Sequence, residues 1–128
     1  MKYLTGEEIL VLHSKIIDET GGLHGIRDTG LFLSIIEKPK MEFGGKEPYV
    51  SVFVKAAVYL EAFANYHVFV DGNKRTGFAS AARFLFLNNY TLLLPNPEVV
   101  KFIMKVVNEK LELKEIANWL KRHSKKIK

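Results

Sequence analysis

The sequence predicts an all-α protein: a compact bundle of about six helices in a single domain over residues 1–128, with one short loop or hairpin. Three observations predict it. Apolar residues recur at helical spacing along most of the chain, two central segments are apolar on every side, and the breaks between periodic stretches are short and carry caps or stops. A chain of this length buries roughly two thirds of its unfolded surface, enough for a core without staples. It contains no cysteine, which excludes disulfides, thiolate chemistry and cysteine-based zinc sites.

The elements follow in order. Thr5 opens the first helix, with Glu8 three residues on completing a capping box, and Ile9, Leu10, Leu12, Ile16 and Ile17 repeat at helical spacing. His13 falls in that span and reads as an ordinary helix residue. Thr20-Gly21-Gly22 ends the helix, the glycines suiting a left-handed cap, and His24 lies in the loop beyond. Asp28 caps a second helix through Leu31, Leu33, Ile35 and Ile36, which Pro39 stops; Arg27 beside it suits a carboxylate or a phosphate equally. Met41 to Pro48, with Gly44 and Gly45, is a flexible loop or short hairpin. Tyr49 to Val54 has strand propensity, yet the apolar pattern runs unbroken to Ala64, and length decides for a helix.

From Val52 to Ala64 the only charges are Lys55 and Glu61, and from Phe78 to Leu87 the only one is Arg83. Helices apolar all round belong in the interior. Asn88-Asn89-Tyr90 then turns the chain and Thr91 to Leu94 is a short extended piece. Asn96-Pro97-Glu98 starts a further helix with cap, first-turn proline and early acid in order. A last helix from about Glu112 carries Leu113, Ile116, Ala117, Trp119 and Leu120, with Trp119 as a core anchor.

Between the two interior helices runs His67-Val68-Phe69-Val70-Asp71-Gly72-Asn73-Lys74-Arg75-Thr76-Gly77, a polar loop in an apolar setting. Gly72 frees the backbone to turn, Asn73 can cap, and Lys74 and Arg75 occupy the first turn. There the helix dipole is positive and the first N–H groups lack partners, so each cation is misplaced by roughly 0.3–1 kcal/mol. Free N–H groups, a Lys and a forked Arg at one helix end describe a phosphate site. Asp71 is a hard oxygen ligand suited to magnesium, and His67 is a candidate base at neutral pH. Taken singly, Asp71 or Asn73 reads as well as an N-cap and Gly72 as a turn residue. Their conjunction with two misplaced cations has no structural excuse.

The pattern His67-x-Phe69-x-Asp71-Gly72-Asn73-Lys74-Arg75 resembles the motif of the Fic/Doc superfamily, in its short Doc (death on curing) branch, the toxin half of toxin–antitoxin pairs. Gly25-Ile26-Arg27-Asp28-Thr29-Gly30-Leu31 is similar to that branch's early segment, and Gly44-Gly45 lies where its flap falls. The resemblance implies a Fic-like fold in which His67 takes the proton of a target hydroxyl and Phe69 anchors the loop. It further implies that Asp71 binds magnesium, that Gly72, Asn73, Lys74 and Arg75 hold nucleotide phosphates, and that the flap at Gly44 and Gly45 docks a target segment as an added strand. Fic adenylyltransferases have Gly where Lys74 stands and a second Arg where Phe78 stands. Doc-like proteins with this Lys resemble kinases, binding ATP in the opposite sense and transferring its γ-phosphate. Val68 replaces the proline common after the motif His and leaves the loop less stiff.

By resemblance, then, the expected activity is a magnesium-dependent transfer from ATP to a Ser or Thr of a translation factor, elongation factor Tu in the family, which arrests translation. The expected partner is an antitoxin whose flexible C-terminal segment folds into a groove. Self-restrained Fic proteins place Glu four residues after a Ser or Thr; no Ser or Thr here has one, so any restraint is expected from another chain. Two other readings stand beside this one: protein adenylyl transfer, and a non-catalytic module that binds RNA or a regulatory phosphate.

The net charge of +5 rests on Lys121, Arg122, Lys125, Lys126 and Lys128, leaving the rest of the chain with as many basic as acidic residues. A nucleic-acid surface clusters its basic residues over a fold; a basic tail at 121–128 reads as a solvated helix end. No apolar run reaches the ~18 residues of a membrane span, and a cytoplasmic location is expected.

Overall fold

The computed structural model describes residues 1–127. It contains six helices: α1 (Gly6–Thr20), α2 (Thr29–Glu37), α3 (Val52–Asn65), α4 (Asn73–Leu87), α5 (Asn96–Asn108) and α6 (Leu113–Arg122). A single 3-10 turn, Lys38–Lys40, follows α2, and two short strands, β1 (Tyr90–Leu92) and β2 (Ser124–Lys126), pair antiparallel. The all-helical expectation holds, and no described helix is long and apolar enough to cross a membrane.

Local chemistry accounts for the boundaries. The Thr5 hydroxyl accepts from Glu8 N–H at 3.1 Å while the Glu8 carboxylate accepts from Thr5 N–H at 3.1 Å, the reciprocal capping box. Asp28 Oδ1 accepts from Leu31 N–H at 2.9 Å and Ser51 Oγ from Val54 N–H at 3.0 Å, so α2 and α3 start on side-chain caps. Pro39 turns the end of α2 into the 3-10 turn. The structure moves the start of α5 by one residue: Pro95 is the N-cap, and Asn96, expected to cap, is already helical with no side-chain cap bond.

The middle of the fold is the antiparallel hairpin of α3 and α4. Every residue of α3 from Lys55 to Leu60 and from Ala62 to Ala64 is buried. Gly77 of α4 lies against it so closely that a Cβ would stand 3.0 Å from Leu60 O and 3.3 Å from Ala64 N. A mid-helix glycine costs about 1 kcal/mol against alanine; here it permits backbone-to-backbone approach and fixes where α3 ends relative to where α4 begins. Trp119 is half-buried at the edge of this core, stacked between Phe102 and His123 at 3.7 and 4.1 Å.

Lys55 is the unexpected member of the core, 1% exposed on the first turn of α3. Its ammonium donates to Pro39 O at 2.6 Å and to Glu47 Oε1 at 2.9 Å, so it ties both ends of the segment after α2 to the central helix. Burial alone would lower its pKa; hydrogen bonding and charge from Tyr3 and Glu47 more than offset that and leave it raised. The segment it holds is a hairpin rather than an open loop. Phe43 and Lys46 exchange backbone bonds of 2.7 and 3.0 Å, and Gly44 and Gly45 between them take positive φ of 57° and 79°, as a two-residue type I′ turn requires.

Residues 121–127 of the basic segment are more than a solvated helix end. Lys121 and Arg122 form the last turn of α6, and Ser124 to Lys126 pair with Leu92 to Tyr90, with Ile127 N–H donating to Asn89 O at 2.8 Å. The charged side chains stay exposed while the main chain completes a sheet that β1 alone could not form. Lys128 lies outside the described residues.

Candidate active site at the start of the fourth helix

The loop from His67 to Gly72 is held by its own main chain. Arg27 N–H and Asp28 N–H donate to Val68 O at 2.7 and 3.1 Å, Val70 N–H to Gly25 O at 3.1 Å, and Arg27 Nε to His67 O at 3.0 Å. That last bond gives Arg27, ambiguous in the sequence, a main-chain partner. Asn73 closes a small ring: its Oδ1 accepts from Phe69 N–H at 2.9 Å and its Nδ2 donates to Phe69 O at 3.0 Å. The Asn73 side chain is therefore spent on the loop, and what it can present to an anion is its backbone N–H. The N-cap is Gly72, at φ 78°, where a Cβ would come within 2.9 Å of Ile17 Cδ1.

Phe69 drives this loop into the core. It is 1% exposed, its ring stacked on His13 at 3.8 Å and flanked by Phe32 and Phe63 at 5.9 and 5.8 Å. With Val68 and Phe69 pointing inward, His67 and Val70 are exposed on the outer side. His67 takes φ 37°, a left-handed conformation that costs a non-glycine residue roughly 1–3 kcal/mol and that clusters at functional sites.

His67, Asp71, Gly72, Asn73, Lys74 and Arg75 line one open cleft of about 660 Å³, closed on the other side by Thr20, Gly21 and Gly22 at the end of α1. Lys74 is half-buried and Arg75 exposed. Neither takes part in an ion pair among the described residues, and the first turn of α4 holds no acidic residue and no side-chain cap. The result is an amino terminus with free N–H groups and two unpaired cations facing a cleft, a strong field for an anion.

Asp71 has one oxygen committed, since Oδ2 accepts from Leu23 N–H at 2.8 Å. Gly22 makes room for it, because a Cβ there would stand 3.0 Å from Asp71 Cβ. No group of three or more metal-binding side chains occurs among the described residues, so a purely protein cage is not built here. A single fixed carboxylate beside a helix end with free N–H groups and two cations suits Mg²⁺, which keeps several waters and takes one or two carboxylates plus substrate phosphates.

Gly44 and Gly45, read as a docking flap, are exposed in the hairpin and do not line this cleft. His24 also lies outside it, bonded to Asp18 at 2.9 Å. His13, read as an ordinary helix residue, is corrected by the structure. It is 4% exposed, and its Nε2 lies 2.8 Å from Asp71 O. The signal was present in its spacing: Ile9, His13 and Ile17 share one buried face at four-residue intervals.

An all-helical core built round a helical hairpin, with His-x-Phe-x-Asp-Gly-Asn-Lys-Arg on the connecting loop, is the arrangement of a Fic-type domain. The model of the Fic/DOC family matches residues 3–85, and the chain belongs to that family. It is 31% identical over 122 residues to a protein of Escherichia phage P1 named protein kinase doc, covering 95% of each chain. It is 36% identical over 91 residues to the protein named toxin Doc of Mycolicibacterium smegmatis, covering 71% of this chain and 68% of that one.

Proposed function

We propose that the chain is the toxin of a toxin–antitoxin pair, a kinase that transfers the γ-phosphate of ATP to a Ser or Thr hydroxyl of a translation factor. One observation carries this reading: an exposed His67, the Asp71 carboxylate and two unpaired cations, Lys74 and Arg75, share a single cleft at the amino end of α4. The names of the two relatives support the kinase and toxin roles respectively. Lys74 favours γ-phosphate transfer over adenylyl transfer, because its stem and charge occupy the place left open by a glycine in adenylyltransferases.

In this mechanism His67 accepts the proton of the target hydroxyl as that oxygen attacks the γ-phosphorus and ADP departs. Lys74, Arg75 and the first N–H groups of α4 hold the phosphate oxygens, the electrostatic clamp in which most phosphoryl-transfer catalysis resides. Asp71 is the residue that would hold Mg²⁺, which when bound would neutralise charge on the phosphates. Phe69 and Asn73 keep the loop in register. The Gly44-Gly45 hairpin, with Phe43 exposed at its edge, lays a target strand alongside. The partner is an antitoxin with a flexible C-terminal segment, and the compartment is the cytoplasm, where the translation machinery lies.

ATP labelled on its γ-phosphate is expected to pass the label to a translation factor. Transfer of an α-phosphate label would establish adenylyl transfer instead, and transfer of neither by a protein that binds ATP would leave a binding module. His67→Ala is expected to lower turnover by about 10²–10⁴ while nucleotide binding persists. Equal loss of both would remove His67 as the base.

A further inference from the structure

His13, Ile17 and Leu23, on α1 and its exit and none of them lining the cleft, converge on Asp71 and the adjacent Gly72. His13, 4% exposed, has Nε2 at 2.8 Å from the Asp71 carbonyl oxygen; since a carbonyl only accepts, that nitrogen carries the proton and donates. The same imidazole stacks on Phe69 at 3.8 Å and 11°, so its plane is fixed by the loop's own anchor. Leu23 N–H holds Asp71 Oδ2 at 2.8 Å, and Gly72, next in the chain, packs on Ile17 and His13. The main chain and one side-chain oxygen of Asp71 are thus both pinned by α1 and the segment after it, two elements that carry no residue of the motif.

We propose that His13 is a positioning residue for the metal-binding carboxylate: its Nε2–H fixes the Asp71 peptide, so that with Oδ2 held by Leu23 the other oxygen is presented to the cleft in one orientation. The inference rests on Asp71 binding the metal in the proposed function. His13 touches neither nucleotide nor target and acts only through Asp71. A histidine suits this place because it joins two properties that no apolar residue combines, a flat face for Phe69 and a directed N–H at the ring edge. Partners that orient a metal-binding group typically contribute 10–100-fold to metal affinity.

The two properties separate by substitution. H13F keeps a flat ring against Phe69 and lacks the donor, whereas H13Q keeps an N–H at the same reach and lacks the ring. Three quantities are measured on the whole chain: the melting temperature, hydrogen exchange at residues 67–76 without ligand, and Mn²⁺ affinity by electron paramagnetic resonance in the presence of a non-hydrolysable ATP analogue. The expected result is that H13F folds, exchanges faster in this loop and binds Mn²⁺ about 10–100-fold more weakly, while its affinity for the analogue without metal is unchanged and H13Q recovers most of the Mn²⁺ affinity. If H13F does not fold, H13M makes the same comparison with H13Q through a flexible side chain that has no donor. Wild-type Mn²⁺ affinity and wild-type exchange in the donor-free variant overturn the proposal. Absence of Mn²⁺ binding by the unaltered protein overturns the metal role of Asp71, and with it this inference, independently of any change in exchange.

Discussion

His67 stands at a left-handed φ of 37°, and its carbonyl oxygen is bonded by Arg27 Nε at 3.0 Å, so the strained residue and the group that restrains it lie on different segments. Arg27→Met keeps the aliphatic stem and removes that donor. It is expected to lower turnover several-fold with little change in melting temperature; loss of fold instead would give Arg27 a purely structural role. Phe69 answers to a different energy scale. Phe69→Ala empties a site bounded by three rings and is expected to cost about 3–5 kcal/mol in chemical denaturation. The identities of both residues were legible, Phe69 from its place in the motif and Arg27 as a cation in want of a partner. Their partners were not, because Arg27 and His67 are 40 residues apart and hydrogen bonds at that distance leave no periodicity in the chain. Asn73 shows the same gap: its type suits a cap or a phosphate, whereas in the fold its amide turns back onto Phe69.

At the scale of elements, the α3–α4 hairpin sets the geometry of the cleft, and Gly77 sets the hairpin. Gly77→Ala places a Cβ 3.0 Å from Leu60 O, a backbone atom that cannot swing aside, and is expected to destabilise by about 1–3 kcal/mol despite alanine's better helix propensity. Unchanged or increased stability would mean that the helices separate freely, and the site's dependence on their spacing would fall with it. Helices were readable wherever a cap and a period agreed, as at Thr5 and Asp28. The strand at Ser124 to Lys126 was not, since three residues rich in lysine carry no strand pattern and form one only because β1 leaves an edge to pair. The Gly44-Gly45 hairpin was half legible, with the turn in the glycines and its fastening to Lys55 hidden in the fold.

For the whole molecule, two buried titratable groups set the alkaline limit. Burial pushes the Tyr59 hydroxyl from 10.0 up to about 12, and Lys55 is raised above 10.5. Between those values the unfolded chain has released protons that the folded one retains, so stability is fully present below about pH 10 and declines as pH rises toward 12. Tyr59→Phe is expected to flatten that decline, and an unaltered slope would place its origin elsewhere. The same chain also carries an instability at neutral pH, at the amino end of α4. Lys74 and Arg75 oppose the helix dipole by roughly 0.3–1 kcal/mol each, a cost that a bound polyanion would reverse. Under the proposed function, binding and stability part company at Lys74 and Arg75, and one measurement reads both: the melting temperature of the unaltered chain and of the double variant K74Q/R75Q, each with and without ATP and Mg²⁺. The account predicts that the variant melts higher than the unaltered chain without ligand and gains nothing from nucleotide, whereas the unaltered chain is stabilised by it. A variant that melts no higher and is still stabilised by ATP would contradict it.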